Sequence, residues 1–397
     1  MTSSTSPARP NLPKIVLLGL LQILSWGGSF YLLGVLAGPI ARDTGWPQPW
    51  VLGGASLGLL VAALLSPLCG RMIARVGGRQ VLAVHSLILA AGLGLMALAP
   101  NLPMFLLAWV VLGAAMATGL YDALFTSLGA MYGMKARPII VGVTLISGFC
   151  TTVVWPLLAI MEHAMGWRMT CALLGALAAL LLFPLYRYAL EPHTPVQRSA
   201  HAVKGNEDAL EPALYWAMTL LFAIAAALMT GVSIVLITVL QDRGHSLASA
   251  IAMAALIGPA QVLCRIIDLL AQRQAPLFTA LLSSGMTALG LLLVDFVPDL
   301  VIWGLLCYGV GNGLRAIVKS TLPMVVVAPA DYALVSGRMA RPALLAQAVA
   351  PLACGYVLGH YGSTAMLHLL AALALLAFGL CLWLAVLIRQ NTRRAAG

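Results

Sequence analysis

Acidic residues are scarce in this chain: 12 Asp and Glu against 22 Lys and Arg in 397 residues. Charged residues of all kinds make up 9%, where a soluble domain carries roughly 25%. The His, Asp and Glu residues that a membrane-embedded enzyme would converge from several helices are almost absent from the apolar runs. Long polar segments are also missing. The longest, 191–211, is too short to be the soluble domain a receptor normally carries. No phosphate loop, Walker motif or nucleophile elbow is present, so ATP hydrolysis is not supported and no cofactor is implied. No basic segment is interleaved with aromatics, which argues against nucleic acid as a partner. The seven cysteines (Cys69, Cys150, Cys171, Cys264, Cys307, Cys354, Cys381) show no CxxC spacing, so neither a disulfide framework nor a zinc site is supported. They read as small packing residues, with a soft-metal or arsenical site shared between helices as the other reading.

What the chain has in abundance is apolar length. Hydrophobic residues make up 61% of it, and runs of about 18–25 recur, each long enough to cross a hydrocarbon core of ~30 Å. Twelve are legible, roughly at 14–40, 48–70, 80–99, 102–133, 137–160, 167–189, 212–240, 246–270, 274–295, 298–328, 336–359 and 362–389. The expected fold is an all-α membrane protein with two six-helix bundles, 14–190 and 212–389. A linker at 191–211 and tails at 1–13 and 390–397 complete it, all three cytoplasmic. The polar tail 1–13 runs straight into a long apolar span with no small-residue cleavage site, so the first helix is retained. With both termini inside, 17 of the 22 Lys and Arg fall on the inner side and only Arg42, Arg168 and Arg243 outside. That bias is the positive-inside pattern. It accounts for the net charge of +10 and points to an inner, cytoplasmic membrane.

The two halves echo each other. Ala136-Arg137-Pro138 opens the fifth run and Ala340-Arg341-Pro342 the eleventh. Gly119-Leu120 in the fourth is matched by Gly313-Leu314 in the tenth, and Asp43-Thr44-Gly45-Trp46 by Asp242-Arg243-Gly244-His245. Repeated halves related by an axis along the membrane normal are a transporter architecture, with substrate bound between them near mid-membrane. Trp155-Pro156 and Pro351 are placed to bend the fifth and eleventh helices.

The loop after the second run reads Gly70-Arg71-Met72-Ile73-Ala74-Arg75-Val76-Gly77-Gly78-Arg79. Its glycines permit a tight turn, and its arginines suit helix-end carbonyls. This stretch resembles the major facilitator superfamily, whose hallmark here is G-x-x-x-D-R-x-G-R-R/K. Gly70, Arg75, Gly77 and Arg79 match, while Ala74 stands at the acidic position, which puts that family's acidic gate latch in doubt. Cys264-Arg265-Ile266-Ile267-Asp268 is a degenerate copy in the second half, with Asp268 in the acidic place. The resemblance implies a gating role for Gly70, Arg71, Arg75, Gly77, Arg79, Arg265 and Asp268.

A finer similarity, over the first five helices, is to the monocarboxylate and oxalate/formate porter branch. It rests on Gly38-Pro39-Ile40 through Gly45-Trp46, Leu57-Gly58-Leu59-Leu60 to Gly70-Arg71, and Tyr132-Gly133-Met134-Lys135-Ala136-Arg137. That branch's first-helix acid and its mid-membrane Asp/Arg pair in the eighth helix have no counterparts, so its specificity does not simply carry over.

Three ionisable residues lie deep in apolar runs: Asp122, Arg315 and Lys319. A charge in hydrocarbon costs several kcal/mol, so such residues face a wet cavity or each other. Arg315 and Lys319 share one helical face about 6 Å apart along the axis, with Asn312 a turn before. A guanidinium fork suits bidentate capture of an oxyanion, and an ammonium adds a point charge. The other readings have Lys319 snorkelling to the interface and Arg315 pairing with an acid. Asp122 is a proton-coupling candidate or a permanent partner of Arg315. Trp26, Ser29, Tyr31 and Tyr121 are candidate substrate contacts. Gln22, Ser25, Thr230, Ser233 and Thr238 are further polar cavity residues; His85 and His163 look isolated and are not candidates.

The expected function is secondary transport of a small, monocarboxylate-like organic anion by alternating access, coupled to protons or by exchange. The protein would work as a monomer in the bilayer. The rival is proton-driven efflux of drugs or toxic metalloids, with Asp122 as the cation and proton site. The topology is testable. Of cysteines introduced at Ser199 and Ser246, only the latter should react with an impermeant thiol reagent in intact cells. Labelling at Ser199 alone would invert the orientation.

Overall fold

A computed structural model describes residues 12–192, 210–271 and 275–396. Most of the expected amino-terminal tail and of the 191–211 linker therefore lies outside the described residues. Every regular element among those described is a helix, as expected of a backbone that finds no water in hydrocarbon and must bond to itself.

The first crossing is two pieces, α1 (Leu12–Gly27) and α2 (Leu33–Thr44). Then come α3 (Gln48–Val76) and α4 (Gly78–Ala97), and a fourth crossing split into α5 (Leu102–Gly119) and α6 (Tyr121–Tyr132). Next are α7 (Arg137–Ser147) and α8 (Cys150–Leu177), with a π turn leading to α9 (Phe183–Ala189). The second half holds α10 (Pro212–Asp242), α11 (Leu247–Ala255), α12 (Ile257–Ala271), α13 (Pro276–Phe296), α14 (Val301–Thr321) and α15 (Pro329–Ala396). Nine spans among the described residues are long and apolar enough to cross a membrane, beside the shorter α1. Two glycines resolve this count into twelve crossings. Gly166 (φ 76°, ψ 163°) divides α8 into the end of the fifth crossing and the start of the sixth. Gly362 (φ 79°, ψ 177°) divides α15 into the eleventh and twelfth. Both occupy backbone that a Cβ disfavours, and both fall between the fifth and sixth helices of their own half. Gly45 and Gly244, with φ of 69° and 91°, likewise follow the first helix of each half. The two six-helix bundles thus repeat their turns as well as their helices.

The chain forms two compact units, Met1–Ala209 with Val327–Arg341, and Leu210–Val326 with Pro342–Gly397. Each solves the same problem at the carboxyl end of its third crossing, where helix carbonyls are left over and a cation suits the dipole. In the first unit Arg168 donates to the carbonyls of Ala97 (3.0 Å) and Ala99 (2.8 Å). Asp43 accepts from the Trp167 indole at 2.8 Å. In the second, Arg243 donates to the carbonyls of Val294 and Asp295, the latter at 2.8 Å. The buried Asp295 carboxylate lies 3.4 Å from Arg243 and 2.6 Å from His368 Nδ1. Two of the three cations expected outside thus close off helix ends.

Several expectations need correction. The first and fourth crossings are broken, at 28–32 and at Leu120, where continuous helices were expected. The fifth crossing is also interrupted at Gly148-Phe149, between α7 and α8. The carboxyl-terminal tail continues α15 as helix through Ala396.

Helices meet through small residues, as they must where lipid removes any hydrophobic drive to associate. Gly54 and Gly58 of α3 receive the fully buried Trp109 indole; a Cβ on Gly54 would lie 2.4 Å from it. Between α13 and α14, a Cβ on Gly290 would lie 2.5 Å from the Tyr308 backbone nitrogen. Gly290→Ala should therefore lower stability by about 1–3 kcal/mol, read as a drop in Tm. Gly379→Ala, with no atom within 4 Å of the new Cβ, should leave Tm unchanged.

Candidate substrate site

In the first unit the interrupted helices bring aromatic rings together. Trp26 ends α1, Tyr31 lies in the gap before α2, and Tyr121 opens α6. Their centroids lie 5.6 Å (Trp26–Tyr31) and 4.9 Å (Trp26–Tyr121) apart. Phe30 stands edge-on to Trp26 at 5.3 Å, and Phe125 stacks on Tyr121 at 4.9 Å. The Tyr121 hydroxyl bonds Ser147 Oγ at 2.6 Å. Asp122, the next residue, is half-buried in the first turn of α6, an end of a helix that suits a carboxylate. Ser29 is not part of this face: it is fully buried and donates to the Ser25 carbonyl at 2.6 Å.

Behind the rings lies a polar network that the sequence did not announce. Gln22 Nε2 donates to the Gly119 carbonyl (2.8 Å) and the Tyr186 hydroxyl (3.1 Å). Its Oε1 accepts from Trp26 Nε1 at 3.2 Å. Ser25 Oγ lies 3.3 Å from the Tyr186 hydroxyl and 3.2 Å from His85 Nε2. His85 Nδ1 bonds the Ala115 carbonyl at 2.9 Å. Gln22, Ser25, His85 and Tyr186 are all fully buried. One His in an apolar run has no partner visible in the sequence; the hydrogen-bond partners of His85 come from two other helices, α1 and α5. The available signal was the helical spacing of Gln22 to Ser25 and to Trp26, three and four residues apart.

In the second unit Arg315 and Asn312 of α14 line a cavity of about 510 Å³, open mouth included. Asn312 Oδ1 accepts from Arg315 Nε at 3.1 Å, which fixes the guanidinium plane, and Nη2 lies 2.6 Å from Met229 Sδ. Ser283, Ser284, Thr287 and the buried Tyr308 bring hydroxyls to the wall, while Phe222 and Leu228 are among its apolar members. Lys319 is half-buried in the last turn of α14 and is not among the lining residues. Of the polar residues expected on α10, Ser233 and Thr238 are exposed and Thr230 half-buried; Ser233 donates to the Met229 carbonyl at 2.7 Å. Among the described residues no three of His, Cys, Asp and Glu gather as a metal site.

The family model of the Major Facilitator Superfamily matches residues 18–340. The chain belongs to that superfamily. It is therefore a multi-pass membrane transporter and not an enzyme, and secondary transport is its activity. No curated protein matches its sequence. Solved structures do match the fold. The human organic anion transporter MFSD10 has a TM-score of 0.72 at 18% identity, covering 94% of this chain and 100% of its own. The fucose transporter FucP in an outward conformation has 0.71 at 12%, covering 94% and 98%. The proton:xylose symporter XylE bound to 6-bromo-6-deoxy-D-glucose has 0.69 at 12%, covering 92% and 94%. At these identities the likeness is one of fold.

The superfamily loop takes its shape from glycines. A Cβ on Gly70 would lie 2.4 Å from the Ala333 carbonyl, and Gly337 approaches Gly70 from the same helix. Gly77 (φ 84°) ends α3, its N–H bonded to the Ile73 carbonyl at 3.0 Å, and Gly78 starts α4 against Ser127. Arg71 and Arg75 are exposed and Arg79 half-buried. In the second unit Arg265 and Asp268 are both buried. Arg265 Nε donates to the Gly313 carbonyl at 3.0 Å, and Thr279 Oγ1 lies 3.5 Å from Asp268 Oδ1, so the pair ties α12 to α14 and α13.

Proposed function

We propose that this transporter moves a small organic anion, with Arg315 as its charge partner and Asp122 as the proton carrier. The observation that carries the anion reading is the Arg315 guanidinium at a cavity wall, its plane held by Asn312, with hydroxyls and apolar side chains around it. A charge-assisted bond formed there gains from the low dielectric. Lys319, one turn on, adds positive field to the same helix. Within the first unit, Trp26, Tyr31 and Tyr121 are aromatic candidates for substrate contact. The charge bias places the protein in an inner membrane with both termini and the 191–211 linker in the cytoplasm, and transport needs only one copy. Gly70, Arg71, Arg75, Gly77 and Arg79, with Arg265 and Asp268, serve the gates.

The aromatic cluster next to Asp122 favours a second reading, efflux of a lipophilic cation, since rings and a carboxylate suit such a charge. Thermal stabilisation separates the two, because a ligand that binds only the folded state raises Tm. Across a panel of carboxylates, organic cations and arsenicals, a carboxylate should raise Tm. That shift should vanish in Arg315→Gln, whose own Tm stays near the wild type, because a desolvated charge contact is worth on the order of 2–5 kcal/mol of binding. Arg315→Lys should restore little of it. A full shift in Arg315→Gln would remove Arg315 from the site; a shift with cations alone would establish the second reading.

The carrier role of Asp122 is tested with the carboxylate so identified. In Asp122→Asn vesicles, accumulation driven by a pH gradient should be lost while exchange across the membrane survives, because exchange needs no net proton movement. Undiminished pH-driven uptake would exclude Asp122.

A further inference from the structure

The fourth crossing is broken for a reason that its own sequence does not supply. Leu120 is extended (φ −77°, ψ −174°) between α5 and α6. The backbone N–H groups of Tyr121, Asp122 and Ala123 thereby leave the i→i−4 ladder, since the first bond of α6 runs from Leu124 N to the Leu120 carbonyl. No proline stands at the break. Inside a membrane an intact ladder is the strongly favoured state, so a break of this kind has to be held by something else.

Two buried side chains meet the broken stretch. The Gly119 carbonyl, which an unbroken helix would bond to Ala123 N–H, accepts from Gln22 Nε2 at 2.8 Å. The His85 ring lies directly over Gly119: a Cβ there would be 2.0 Å from Nδ1. A carbonyl only accepts, so the 2.9 Å contact to Ala115 puts the His85 proton on Nδ1; Nε2 lies 3.2 Å from Ser25 Oγ, whose own proton goes to the Leu21 carbonyl at 2.9 Å. Gln22 in turn donates to Tyr186, which is then free to donate to Ser25. Both amide protons of Gln22 are used, and its oxygen takes the Trp26 indole N–H.

We propose that Gln22 and His85 are positioning residues that keep the fourth crossing broken at Leu120 and so hold Tyr121 and Asp122 on the first turn of α6. Trp26 is bonded to the amide that holds the break, so a substrate pressing on Trp26 bears on the placement of Asp122. This consequence for transport rests on the reading of Asp122 given above; the claim about the backbone does not.

Amide hydrogen exchange separates this role from ordinary packing, because the two predict opposite signs. Loss of packing loosens a helix and speeds exchange. Loss of the clamp lets the ladder close through Leu120 and slows it. In full-length protein in nanodiscs, exchange over 119–124 should slow by roughly fivefold in Gln22→Met and in His85→Gln, the size of effect expected when the helical ladder closes through Leu120. His85→Asn, whose amide can still reach the Ala115 carbonyl, should exchange at the wild-type rate. If Gln22→Met does not yield a monodisperse protein, Gln22→Leu replaces it. Unchanged or faster exchange in Gln22→Met and His85→Gln overturns the proposal, as does slowing in His85→Asn equal to that in His85→Gln. The Asp122 reading fails separately, by undiminished pH-driven uptake in Asp122→Asn.

Discussion

A backbone amide in hydrocarbon has no water to bond, and nearly everything in this structure follows from that. The rule makes every regular element described a helix. It also makes each interruption costly, so each one comes with its own remedy. Where the third crossing of each unit ends, Arg168 and Arg243 reach the carbonyls left over. Where it turns into the next crossing, Gly166 and Gly362 take the backbone angles required. Where it breaks within the bilayer, at Leu120, Gln22 donates to the exposed carbonyl. The polar residues of this chain are few, and many are committed to the backbone before any is available to a solute.

That commitment explains which parts were legible in the sequence. Crossings are local, a run of apolar residues of sufficient length, and these were readable from one chain. The first and fourth crossings were drawn unbroken because Gly27-Gly28-Ser29 and Gly119-Leu120 carry no residue that forbids helix. The fourth breaks where Gln22, on another helix, captures the Gly119 carbonyl. The fifth crossing is interrupted at Gly148-Phe149, again with no residue there that forbids helix. Local propensity is a weak prior wherever packing can override it.

The candidate site was legible in types and not in arrangement. Arg315 with Asn312, and Trp26 with Tyr31 and Tyr121, do come together within their own units. Ser29 shares the first crossing with Trp26 but faces the packed side, where its hydroxyl serves the backbone. Lys319 shares a face with Arg315 by helical spacing, yet only Arg315 borders the cavity. Spacing assigns a residue to a stripe about 100° wide, and a ligand sees only part of that stripe.

His85 shows why the hidden residues matter most. An isolated His in a membrane helix carries no signal by itself, because its hydrogen bonds lie a helix or more away in sequence. Here one ring spans the gap between Ser25 and Ala115 and leaves room for neither a larger residue at Gly119 nor a relaxed helix. A buried network of this kind is high-stakes: fully satisfied it fixes one geometry, and with one member removed it favours another. Alternating access needs elements with two such geometries, each able to satisfy its own backbone. Among the described crossings of the first unit, the fourth meets that requirement with side chains rather than with proline or glycine angles. A side-chain clamp can be released and remade by small rotamer changes, whereas a proline kink is permanent. A break that must open and close is therefore better held by Gln22 and His85 than by any residue within the helix itself.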